Sequence, residues 1–239
     1  ERYVPIINGV AAQLGLQART IITADYTALA QFLFEGIVDI AWFSPLAYVS
    51  AREQGGAIPL VTPVVNGAPS YHGYIITRRD SGIKSLEDLK GQTFAFVDEK
   101  SASGYAYPRH LLRQAGIDPD RDLAEVLFMG THNNVIAKVL EGIVTAGATF
   151  NEAWDIALQK GIPVDRELEI IARTDPIPKD ALAMAPGADP VLIERIREAF
   201  VNFKDTPEGR DVLTTSPIDG FIEAADEKYD IVRQVQGSS

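Results

Sequence analysis

TFAFVDEKSASGYAYPRHLLRQAG, residues 93–116, is the stretch that decides the fold. Thr93 to Val97 form a short apolar run of strand character, and from Tyr107 onward the apolar positions recur at helical spacing. Between them lie Ser101, Ala102, Ser103 and Gly104. A strand that hands over to a helix is the repeating step of an α/β fold, and the handover falls at the carboxyl edge of a sheet. A helix that starts there points unpaired N–H groups outward at its partially positive end. The serine hydroxyls add donors, and Gly104 lets a ligand come close to the backbone. The combination suits a tetrahedral oxyanion. Serine is also a favoured cap for any helix, so the motif taken alone carries both readings. With Ser103 as the cap, Pro108 falls just beyond the first turn and removes a backbone hydrogen bond, which predicts an irregular helix start.

The same rhythm extends in both directions from this stretch. RTIITAD (19–25) is strand-like and precedes the helical YTALAQFLFEG (26–36). VDIAWFS (38–44) precedes PLAYVSAREQG (45–55), with Pro45 at an early helical position. VLFMGT (126–131) precedes HNNVIAKVLEG (132–142), and TAGATF (145–150) precedes NEAWDIALQKG (151–161). The Pro- and Gly-rich PLVTPVVNGAPS (59–70) reads as a crossover, followed by the strand-like YHGYIITRR and by SLEDLKG, where Ser85 and Asp88 form a capping-box pattern. Beyond Gly161 come the strand-like ELEIIAR, the turn-rich TDPIPKD, ALAMAP, and the helical PVLIERIREAFVNFKD and TPEGRDVL. These terminal helices are expected to pack back on the first group. The pattern predicts two α/β lobes, residues 1–77 with 178–239 and residues 78–177, with a ligand in the cleft between them.

Composition limits the partner. The chain has 239 residues, a formal net charge of −11 and no cysteine. The acidic balance argues against nucleic acid, whose phosphates call for a basic face. The absence of cysteine excludes disulfides, thiolate metal sites and cysteine nucleophiles, and suits export to an oxidising compartment. No apolar run reaches the roughly 20 residues needed to span a bilayer. No signal sequence opens the chain, so an exported protein has already lost it. The closing GSS reads as a flexible tail. No metal-spaced histidine cluster, Walker loop or G-x-S-x-G elbow is present, which predicts neither metal nor cofactor nor catalytic residues.

The next handover, MGTHNNV, puts Thr131 and His132 at a second helix start able to donate to the same anion. Tyr26 stands at a third, in ADYTAL, and Tyr71 stands near the crossover in APSYHGY. For these two the plainer role is packing. Glu152, in TFNEAW, and Asp180, in IPKDAL, have the plainer role of helix-start or solvated charges.

DYTALAQFLFEGIVDIAWFSPLAYVSA, RRDSGIKSLEDLKGQTFAFVDEKSASGYAYP and GTHNNVIAKVLEG, in that order, resemble the phosphate/phosphite/phosphonate substrate-binding proteins of ABC importers, from Glu1 to about Phe221. The resemblance implies a type II periplasmic-binding fold that closes on its ligand. The family's Ser-x-Ser-Gly anion loop matches Ser101, Ala102, Ser103 and Gly104, and its Gly-x-His corner matches His132. Tyr26 and Tyr71 match aromatic site positions. Glu152 and Asp180 match acids that face the ammonium group in aminoalkylphosphonate binders. Two departures stand out. Ala102 replaces a threonine common in relatives and so lacks a hydroxyl donor, and the strand expected before the first helix, ERYVPIINGVAAQLG, is missing.

The function expected from the resemblance is capture of a small phosphonate, 2-aminoethylphosphonate among the candidates, or a related phosphorus oxyanion. The ligand then passes to a membrane permease. The protein is expected to act as a monomer, in the periplasm or as a cell-surface lipoprotein. Two other readings are a ligand-sensing domain of a larger signalling protein, and an enzyme with a triad of His132, Ser101 and Asp180.

Overall fold

The computed structural model describes residues 3–99 and 101–237. Along the chain come α1 (Val4–Gln13), α2 (Tyr26–Phe34), β1 (Ile40–Phe43), α3 (Pro45–Gly55), β2 (Ile58–Val64), β3 (Ser70–Tyr71), β4 (Gly73–Arg78) and β5 (Thr93–Phe96). They continue with α4 (Tyr107–Gln114), α5 (Pro119–Asp122), β6 (Glu125–Phe128), α6 (His132–Leu140), β7 (Ala146–Phe150), α7 (Asn151–Gln159), α8 (Val164–Glu167) and β8 (Leu168–Arg173). The last are β9 (Ile177–Pro178), β10 (Ala181–Met184), α9 (Pro190–Asn202), α10 (Pro207–Thr214), β11 (Gly220–Glu223) and α11 (Asp230–Gly237). Lys100 and the two final serines of the GSS tail lie outside the described residues.

The chain forms two compact units, Glu1–Ser70 with Pro178–Arg233, and Tyr71–Ile177 with Gln234–Ser239. The first crossing comes earlier than the reading that placed residues 71–77 in the first unit. Those residues include most of β4, which lies inside the second unit's sheet, hydrogen-bonded on both sides.

In the first unit the sheet order is β1-β10-β2-β11, with every adjacent pair antiparallel. PLVTPV, read as part of a crossover, lies in the strand β2, with Leu60 and Val61 fully buried. Its prolines disguised it, because proline cannot donate to a ladder and is uncommon inside a sheet. Pro59 sits where the β10 register shifts between Leu182 and Ala183. After β2 the chain turns at Asn66 and Gly67, both at positive φ, where Val65 and Ala68 form a bridge. RTIITAD, expected to be a strand, forms none: Ile22 is 76% exposed and β1 is hydrogen-bonded only to β10. Strand propensity is realised only in a ladder with a buried face. Helices α1 and α9 cover one side of this sheet, where Ile6, Val10, Leu60, Ile196, Phe200, Phe203 and Phe221 share one core, so the terminal helices do pack on the first unit.

In the second unit the order is β6-β5-β7-β4-β8. The pairs of β5 with β6 and β7 are parallel, and those of β4 with β7 and β8 are antiparallel. Parallel neighbours require helical crossovers, and α4 and α6 supply them. One face buries Phe94, Phe96, Leu112 and Ile117, and the other buries Ala95, Val135, Ile136 and Val139. Two cores on the two faces therefore hold the carboxyl ends of β5 and β7 in place.

Candidate functional site

In the second unit the chain leaves β5 and makes one turn of π-helix over Ala102–Ala106 before α4 begins at Tyr107. The irregular helix start expected from Pro108 is present, but the cap is Ser101 rather than Ser103. Ser101 Oγ accepts from the Gly104 N–H at 3.0 Å, and Ser101 has extended backbone angles. The Ala106 N–H donates to Ser101 O and the Tyr107 N–H to Ala102 O, which leaves the Ala102 and Ser103 N–H groups ahead of the intrahelical ladder. Because Ser101 Oγ already accepts one bond, its own proton is directed elsewhere. Ala102, Ser103 and Gly104 are all buried. A Cβ on Gly104 would lie 2.5 Å from Val97 Cβ and 2.7 Å from Ser101 Oγ, so only glycine fits this bend.

His132 opens α6, capped by Thr131 Oγ1, which accepts from the Asn134 N–H at 3.2 Å. Val135 and Val139 beneath it are fully buried, at roughly 1.5–3 kcal/mol each, and fix the helix on the sheet. The His132 ring packs 4.4 Å from that of Phe150, and Phe150 meets Tyr71 edge-on at 5.8 Å. Burial pulls the His132 imidazole down to about 4, so it is neutral at physiological pH. Its Nδ1 is buried without a hydrogen-bond partner among the described residues. A catalytic triad would place an acid on that nitrogen. Glu152 lies in the first turn of α7, next to Asn151, whose side-chain oxygen accepts from the His72 N–H at 3.0 Å.

The first unit holds Tyr26 and Asp180. Tyr26 opens α2 after the Asp25 cap and is 48% exposed. Its phenol is raised, first by burial and then by the charge of Asp180, with Ser44 opposing. Trp42 Nε1–H donates to Asp180 Oδ2 at 2.8 Å, and Thr62 Oγ1 donates to the Asp180 carbonyl at 2.9 Å. Burial raises the Asp180 carboxyl above its ordinary range, against the indole bond and the charge of Lys179. A groove of ≈ 360 Å³ between α2 and α3 includes Tyr26 but none of the other expected residues. Among the described residues no cluster of three or more His, Cys, Asp or Glu is placed to hold a metal, and no helix is long and apolar enough to cross a membrane.

The structure thus gathers Tyr71, Ser101, Ala102, Ser103, His132 and Glu152 in one unit, and Tyr26 with Asp180 in the other. Sequence reasoning missed Trp42, whose indole reaches an acid 138 positions away, and Phe150, which bridges Tyr71 and His132. Nothing local marks the first. The second could have been suspected from an aromatic residue ending the strand before Glu152.

Comparison with known proteins identifies the chain's relatives. The chain is 27% identical to the phosphate-import protein PhnD of Mycolicibacterium smegmatis, over 98% of this chain and 79% of that protein. It is 25% identical to the phosphonates-binding periplasmic protein of Escherichia coli, over 98% and 70%. Among solved structures, XAC2383 from Xanthomonas citri bound to ATP superposes with a TM-score of 0.81 at 26% identity, covering 99% of this chain and 94% of that one. The model of the ABC-transporter phosphonate periplasmic substrate-binding proteins matches residues 1–229, and the chain belongs to that family.

Proposed function

We propose that the protein captures a small phosphonate for an ABC permease, with the anion held by Ser101, the Ala102 N–H, Ser103 and His132. The observation that carries this reading is the π-turn: a buried bend whose leading N–H groups lie outside the helical ladder and whose cap serine uses its oxygen as an acceptor within the turn, in the same unit as the neutral His132 imidazole. Such a nest binds through dipoles rather than a fixed cation, which suits reversible capture. Charge-assisted hydrogen bonds contribute roughly 1.5–3 kcal/mol each, net of the water contacts they replace, so four together supply roughly 6–12 kcal/mol of binding. The relatives named for phosphate and phosphonates, and the solved neighbour holding ATP, share phosphorus oxyanion chemistry.

The preferred ligand in this proposal is 2-aminoethylphosphonate. Two acids near a dianion repel it unless a cation intervenes, and a water-poor site screens that repulsion weakly. A carboxyl such as Asp180, whose charge is disfavoured by burial, gains most from an ammonium partner. Glu152 is the second partner, and Tyr26 and Tyr71 flank the ligand. The protein works as a monomer in the periplasm.

Calorimetry against phosphate, phosphite, methylphosphonate and 2-aminoethylphosphonate tests the reading. Glu152→Gln is expected to weaken the aminoalkylphosphonate by about tenfold, as loss of one charge-assisted bond implies, and to leave methylphosphonate unchanged or tighter. Equal loss for both ligands, or a wild type that prefers phosphite, would reject the zwitterion assignment.

A further inference from the structure

We infer that Tyr107 is a further ligand-binding residue, its buried hydroxyl donating to the phosphorus oxyanion held by the Ser101–Gly104 turn. The inference rests on the proposed function. Tyr107 closes the π-turn, its N–H donating to Ala102 O, and it begins α4. Long side chains on a helix lean toward its N-terminus, which here is the anion turn itself. Tyr107 is only 2% exposed, and its hydroxyl has no hydrogen-bond partner among the described residues. Buried hydroxyls are nearly always paired, so this one awaits a partner the protein does not supply.

Two further observations locate that hydroxyl. Its phenol is raised, first by burial and then by the nearby Tyr71 and Asp175, so it keeps its proton and donates. Tyr71 in turn borders the anion turn: two residues on, a Cβ on Gly73 would lie 3.3 Å from Ser103 O. Tyr71 packs on Phe150, and Phe150 on His132. Tyr107, Tyr71 and His132 are therefore linked around one turn, and two of the three carry buried polar atoms without partners. The rival explanation is that Asp175 takes the Tyr107 proton after a small shift, which makes the hydroxyl structural.

Tyr107→Phe removes the hydroxyl and little else. Calorimetry with methylphosphonate and 2-aminoethylphosphonate, beside thermal unfolding of the unliganded protein, separates the explanations. The expected result is a 10- to 100-fold loss of affinity for both ligands, since the hydroxyl meets the end they share, with no fall in unliganded stability. Affinity within threefold of wild type overturns the inference, and a lowered melting temperature at that affinity assigns the hydroxyl to Asp175. Should the variant fail to fold, the unaltered protein still decides. A slowly exchanging tyrosine hydroxyl proton coupled to ³¹P in the methylphosphonate complex supports the inference, and its absence overturns it. A wild type that binds neither probe fails at the proposed function instead and takes this inference with it.

Discussion

The two units differ in chemistry and in how that chemistry is built. In the second unit, the residues proposed as a donor nest, Ser101 to Gly104, are consecutive, and His132 is a neutral ring. In the first unit the distinctive group is a half-buried acid, Asp180, held through Trp42 from β1 and backed by Thr62 from β2. The nest is local and made mostly of backbone. The acid's setting is assembled from distant strands, and its charge is disfavoured there.

The largest expected effect breaks the nest. Replacing Ser101 and Ser103 together by alanine removes two donors to a buried anion, which costs at least ~3 kcal/mol and more than a hundredfold in phosphonate affinity by calorimetry. Unchanged affinity would mean that the backbone N–H groups alone suffice, or that the anion lies elsewhere.

Gly104→Ala tests whether the turn's shape matters more than its hydroxyls. The added methyl meets Val97 and Ser101 well inside contact distance. Overpacking of this kind costs about 1–3 kcal/mol in denaturant unfolding, and affinity should fall with it. A variant as stable as wild type would show that the bend relaxes freely.

Trp42→Phe probes the first unit's acid by removing the indole donor to the Asp180 carboxylate. The folded-state carboxyl is already raised, so its contribution to stability is present at low pH and is lost as pH rises through the raised value. Without the indole the value rises further, and the variant should be about 1–2 kcal/mol less stable than wild type at pH 7 and closer to it at pH 4. A deficit independent of pH would mean that only packing was lost.

The last effect concerns His132 and appears only as the pH is lowered. Its folded value, about 4, lies below the ordinary 6.5, so its contribution is present above pH 6.5 and is lost as pH falls toward 4. His132→Gln should remove this component, narrowing its stability gap to wild type by about 1.4 kcal/mol per pH unit below 6.5. Parallel curves would place the imidazole in contact with solvent.

Most elements, and the irregular turn that follows β5, were legible from neighbouring residues alone. Apolar periodicity, glycine stops and the Ser-Ala-Ser-Gly spacing are properties of neighbouring residues, and a strand-to-helix handover exposes N–H groups whatever lies elsewhere in the chain. Pro108 even announced the irregular helix start. Only the tertiary structure decided three other matters. β2 became a buried strand despite Pro59 and Pro63, because β10 and β11 flank it and β10 shifts register beside Pro59. RTIITAD stayed irregular because no strand pairs with it. The burial of His132, Asp180 and the Tyr107 hydroxyl, and hence their protonation, follows from what the fold packs around them. Desolvation depends on neighbours in space, and no local pattern carries that information.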